Sequence, residues 1–154
     1  MLLCDDKLYS EADKTLYVHF LSDPSSPIAA YPLGGTCWSG VVAENRLYLG
    51  GGSRKLHVFD VTTSLAEPLK PVAVIDTEDY VTKVLRVGNQ LLLGEWEGYL
   101  QVVSLGQPLI TSTHKFTEGG DIHDMLPRDD TQFLLATAQG LLRTTRDQVL
   151  KHYF

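Results

Sequence analysis

At 154 residues, 44% apolar and 21% charged, the chain has the size and composition of one globular domain with a substantial core. Its formal net charge of -6 and pI near 5.2, with Arg143 and Arg146 as its densest basic spot, argue against a nucleic-acid backbone as partner. No run approaches the ~18 apolar residues of a membrane span, and the opening MLLCDDK lacks the basic flank and apolar stretch of a signal peptide; no membrane partner and a cytoplasmic or nuclear location are expected.

In chain order the apolar pattern falls into four units, 2–33, 36–77, 80–117 and 121–154. The first is degraded. Its Leu8 and Tyr9 lie 39 residues before Leu47 and Tyr48, but Leu16 lies 40 before Leu56, so one turn residue has been lost; Ile28 to Tyr31 forms its last predicted strand. The second unit runs from Cys37–Val42 through Leu47-Tyr48-Leu49, the turn GGGSRK and Leu56-His57-Val58-Phe59 to Val72–Ile75. The third repeats it with Val81–Val87, Leu91-Leu92-Leu93, the turn GEWEGY and a strand over Leu109–Ser112. The fourth has Ile122–Leu126, Phe133-Leu134-Leu135, ATAQGL and a last strand over Val149–Tyr153. Pro27, Pro71 and Pro108 stand just before last strands, where a missing N–H is tolerated.

The second and third units overlay without a gap at a lag of 44. NRLYLGGGSRKLHVFDV from Asn45 and NQLLLGEWEGYLQVVSL from Asn89 share six of seventeen residues, against about one from ordinary composition. QFLLATAQGLL follows at a lag of 42, which sets Gly35, Asp79 and Asp121 in one phase and Cys37, Val81 and His123 in another. Runs of three apolar residues are too short for a helix and read as strands buried on both faces. Four such strands per ~40–45 residues make the blade of a β-propeller. The expected fold is all-β: a single partial propeller over 1–154, an arc of three to four four-stranded antiparallel blades. A complete ring has ~4–8 blades and the chain has room for just under four, so it is read as part of a longer propeller, with a closed four-blade ring or two copies completing one another as the alternatives; open blade edges would invite self-association.

His57-Val-Phe-Asp60 resembles the strand that ends in Trp-Asp in the WD-repeat family, and Asp121-Ile-His-Asp124 ahead of DDTQFLLATAQGLL is similar to that family's following turn and strand. No unit has a true Trp-Asp or Gly-His pair. The resemblance covers nearly the whole chain and implies a non-catalytic platform for protein assembly. It also implies that the turns after the second strands share one face with the loops entering each blade. That face would carry Trp38, Asp79, Tyr80, Glu95, Trp96, Glu97 and Asp121, with Asp76, Glu78 and Glu118 nearby and only Arg54 and Lys55 opposing the charge. An acidic, aromatic rim of this kind suits a basic peptide or protein segment, the aromatic groups supplying affinity and the charges steering encounter.

Catalysis, cofactor and metal are not expected. Glu95 and Glu97 flank a single residue at a hairpin and read as two solvated charges, and no pocket-forming partner can be named for them. His123 with Asp121 and Asp124 lacks further ligands, since His19, His57, His114 and His152 lie at other phases. The competing reading, a fragment of a lactonase-like propeller hydrolase, would place its metal ligands in blades outside this chain. Cys4 and Cys37 have no metal-ligand spacing and are expected to stay reduced.

Overall fold

A computed structural model describes residues 2–62, 69–106, 110–115, 120–129 and 132–145. Fifteen strands are described, in four sheets. The first holds β1 (Leu2–Cys4), β2 (Lys7–Ala12), β3 (Thr15–Phe20) and β4 (Asp23–Pro32). The second holds β5 (Cys37–Ala43), β6 (Arg46–Gly51), β7 (Lys55–Asp60) and β8 (Ala73–Asp76). β9 (Val81–Val87), β10 (Gln90–Glu95), β11 (Tyr99–Ser104) and β12 (Ile110–Lys115) form the third, and β13 (Ile122–Pro127), β14 (Gln132–Thr137) and β15 (Gly140–Thr145) the described part of the fourth. Each sheet is an antiparallel meander in sequence order, and these are the four expected blades. Val149–Tyr153 and Pro108 lie outside the described residues. Pro27 sits within β4 and not before it; β4 is the outermost strand, and the pairing shifts register around His19, its partner. An edge and a bulge both accept a residue without an N–H.

The core lies between blades. In Leu47-Tyr48-Leu49 the outer two residues pack toward blade 1, with Tyr9, Leu16, Val18 and Phe59, while Tyr48 packs toward blade 3. Leu91 and Leu93 answer it from blade 3, and Leu92 turns the other way, onto Ile122, Met125 and Leu135 of blade 4. A strand between two sheets has no polar face, which explains the unbroken apolar runs. Each such side chain contributes about 1.5–3 kcal/mol by leaving water.

First strands pack side by side, β5 against β9 and β9 against β13, and carry hydrogen bonds from blade to blade. The Val84 N–H donates to Ser39 Oγ at 3.0 Å, and Thr82 Oγ1 sits between the carbonyls of Gly94, at 2.9 Å, and Ile122. Ser39→Ala leaves the Val84 N–H without its partner and is expected to lower stability by about 1 kcal/mol in a denaturant titration.

The registers correct the alignment of the fourth unit. Cys37, Val81 and Ile122 pair with Gly51, Glu95 and Thr137, each beside a bulge. Ile122, not His123, therefore holds the place of Val81, and Gly120, not Asp121, that of Asp79. His123 joins Trp38 and Thr82. The slip arises between the first two strands of blade 4: Leu85 faces Leu92 but Leu126 faces Leu134, so the connection from β13 to β14 is one residue longer than that from β9 to β10. The next turn compensates, since Gly94 faces Leu100 but Ala136 faces Leu141, and Ala138-Gln139 is one residue shorter than Trp96-Glu97-Gly98. Blade 1 has the same two-residue form at Asp13-Lys14, both at positive φ (50° and 62°), in keeping with the residue missing from its sequence.

Candidate functional site

Gly51, Glu95 and Thr137 end the second strands of blades 2, 3 and 4, and the bulge between Cys37 and Ser39 in β5 leaves Trp38 outside the ladder, against Tyr80 and Trp96 of blade 3. Trp38 and Trp96 stack with centroids 5.3 Å apart, and Tyr80 stands edge-on to both, at 6.0 and 5.1 Å. The two tryptophans remain 43% and 39% exposed. The Trp96 N–H donates to Tyr80 O (3.1 Å), which fixes the third-blade turn against the loop that enters that blade. With Thr82 and His123 the tryptophans border an open cavity of about 230 Å³.

Two of the expected rim carboxylates are internal. Glu95 is fully buried and Asp79 nearly so. Glu95 continues the alternation of Leu91 and Leu93, and so points between blades 2 and 3 and not into solvent. The Asp79 N–H donates to Glu95 Oε2 at 2.7 Å, and Oε1 has no hydrogen-bond partner among the described residues. Burial pushes the Glu95 carboxyl up to about 8, with the negative charges of Glu78 and Asp79 adding to the effect, while the Asp79 N–H and Arg54 oppose it. Burial therefore favours its protonated form. Glu95 does not line the cavity bordered by Trp38 and Trp96, and its weakened acidity follows from burial between the blades.

Asp79 is held as a carboxylate would be. Its Oδ1 accepts the Tyr80 N–H at 2.8 Å and pairs with Arg54 at 3.0 Å, and the guanidinium lies 5.1 Å from the Tyr80 ring centroid. Arg54 sits in the left-handed region at φ 54°. Glu97 is also left-handed, at φ 56°; its side chain is 65% exposed and lies 3.7 Å from Lys115. Its N–H donates to Asp121 Oδ1 at 2.8 Å, tying blade 3 to the loop entering blade 4.

The rim is thus less acidic than its composition. Besides Arg54 and Lys55, which pairs with Asp76 at 2.7 Å, Lys83 and Lys115 also neutralise it. Lys83 meets Asp124 at 2.7 Å and holds its carboxyl below the usual range. Sequence reasoning missed Thr82, whose side chain joins two blades, and Lys83. The signal was the lag of 44, which sets Thr82 under Trp38. Among the described residues no group of three His, Cys, Asp or Glu side chains is arranged to hold a metal ion.

The geometry has a counterpart among solved structures. Sqt1 of Saccharomyces cerevisiae, a WD-repeat protein, superposes with a TM-score of 0.71 at 12% identity over 90% of this chain. The fold is a WD-like β-propeller arc. The arc spans 40% of the Sqt1 chain. No family profile matches the sequence, and no curated protein matches it. That agrees with blades that keep the apolar framework of the repeat while lacking Trp-Asp and Gly-His pairs.

Proposed function

We propose that this arc is a protein-interaction platform and that the surface made by Trp38, Tyr80 and Trp96 receives an extended segment of its partner. The observation that carries the reading is the stacked, two-fifths exposed tryptophan pair beside an open cavity. Large aromatic side chains left in water on a rigid frame are the groups that dominate binding energy when covered. Trp96 is fixed by its backbone hydrogen bond to Tyr80, Trp38 stacks on Trp96 from the bulge of β5, and Tyr80 is clamped by Trp96 and Arg54. Basic character in the partner follows from Glu78, Glu97 and Asp121 around this surface, with the chain's charge of -6 behind them. Asp79 and Glu95 support the surface from beneath and do not touch the partner.

The test is titration of a fluorescent lysine- and arginine-rich peptide, beside its acidic counterpart, into the protein at two salt concentrations. Trp96→Ala is expected to weaken the basic peptide about ten-fold or more, and Glu97→Gln to change chiefly the association rate and its salt dependence. Equal affinity of wild type and Trp96→Ala, at unchanged stability, would remove the reading.

A further inference from the structure

The joint between blades 1 and 2 is built differently from the other two. In blades 2 and 3 the residue before the end of the second strand is glycine, Gly50 and Gly94. A Cβ there would meet Val81 of the next blade at 2.5 Å or Ile122 at 2.7 Å, so glycine lets the next first strand close in. The matching residue of blade 1 is Glu11, three residues after Leu8 as Gly50 is after Leu47, and opposite Leu16 as Gly94 is opposite Leu100. The residue it faces, in the place of Val81 and Ile122, is the smaller Cys37. A larger residue on one side and a smaller on the other hold the inner ends of these blades apart. Between them lies a cleft of about 320 Å³.

We propose that this cleft is a binding site for one basic side chain, an arginine, of a protein partner. The Glu11 carboxylate lines it and has no ion-pair partner among the described residues; Oε1 accepts the Lys14 N–H at 2.9 Å, and Oε2 is left to a ligand. None of the residues lining the cleft is basic. Leu2, Leu16 and Leu49 supply an apolar wall for an aliphatic stem, and Trp38 supplies a ring for a planar guanidinium. Burial, with the Glu11 charge adding to it, pushes the Cys37 thiol up to about 11, so the carboxylate is the only anion offered at neutral pH. The volume falls within the usual range of ligand sites, about 300–1,000 Å³. Trp38 walls this cleft on one side and the Trp96 cavity on the other, so a segment lying across Trp38 reaches both.

The identity of the occupant as a protein side chain rests on the proposed function; the cleft's preference for a guanidinium does not. The experiment is an NMR titration of the full chain with acetyl-arginine amide and with its uncharged isostere acetyl-citrulline amide. The Cys37 and Ser39 amides and the Trp38 indole are expected to shift with the arginine compound and not with the citrulline one. Glu11→Gln weakens the arginine compound about ten-fold. Cys37→Ile, which restores the residue type found in blade 4, is expected to abolish the shifts while keeping or raising the thermal midpoint, because it fills the gap. No shift in wild type at about 50 mM arginine compound, equal response to citrulline, or undiminished binding in the folded Cys37→Ile protein overturns the proposal. A Trp96→Ala result that removes the peptide reading leaves this titration standing, so the two can fail separately.

Discussion

Gly51→Ala is expected to destabilise the protein by about 3 kcal/mol or more, read as a lower denaturant midpoint with unchanged slope. A Cβ at this position would lie 2.0 Å from the Thr36 carbonyl oxygen and 2.9 Å from the Cys37 Cα. Both are backbone atoms, so no side-chain rotation relieves the clash; β6 or the entry to β5 has to move. Across the same contact, a Cβ on Gly35 would fall 2.6 Å from the Gly52 carbonyl carbon and the Ser53 nitrogen. The two chain segments therefore touch through their backbones. Gly106→Ala is the matched control: nothing lies within 4 Å of the added carbon, and it is expected to be neutral to about 0.5 kcal/mol. Equal stability of the Gly51 and Gly106 variants would show that the first strand of blade 2 is free to shift.

Glu95 gives the second large effect, a dependence of stability on pH. Its carboxyl titrates near 4.5 in an unfolded chain and is raised to about 8 in the folded one. Between those values the unfolded state has lost a proton that the folded state keeps, so stability attributable to this group is complete below about pH 4.5 and declines as pH rises toward 8. The total is on the order of 2–4 kcal/mol. Glu95→Gln keeps the shape and the acceptor for the Asp79 N–H but cannot ionise. The variant is expected to match wild type near pH 5 and to exceed it near pH 8.5, flattening the profile of thermal midpoint against pH. Parallel profiles would mean that Glu95 is already ionised in the folded protein at neutral pH.

Leu47-Tyr48-Leu49 and Leu91-Leu92-Leu93 made the blades legible, because only a strand lying between two sheets has no use for a polar residue. The turns were harder. Trp38, Tyr80 and Trp96 stack together and Glu97 is tied to Asp121, yet the lag of 42 misplaced His123 by one residue, since a residue added between the first two strands of a blade does not show in the apolar positions on either side. Glu95 read as solvated because charge so near a turn usually is. The alternation Leu91, Leu93, Glu95 carried the opposite message, and burial follows the alternation. Its tolerance rests on protonation, a property of its surroundings that residue type cannot reveal. The exchange of Gly50 for Glu11 in the first unit was likewise visible in the sequence, but its meaning was not, until the neighbouring Val81 and Ile122 showed what glycine makes room for.

A chain of blades held only by nearest neighbours opens at its weakest seam. The gap at Glu11 and Cys37 forfeits dispersion contacts that Gly50–Val81 and Gly94–Ile122 keep, so the seam between blades 1 and 2 is the one that parts first. Amide protons of β2 and β3 should then exchange with solvent through a smaller opening than those of β10 and β11, and an occupant of the cleft would act as a wedge that locks the hinge shut.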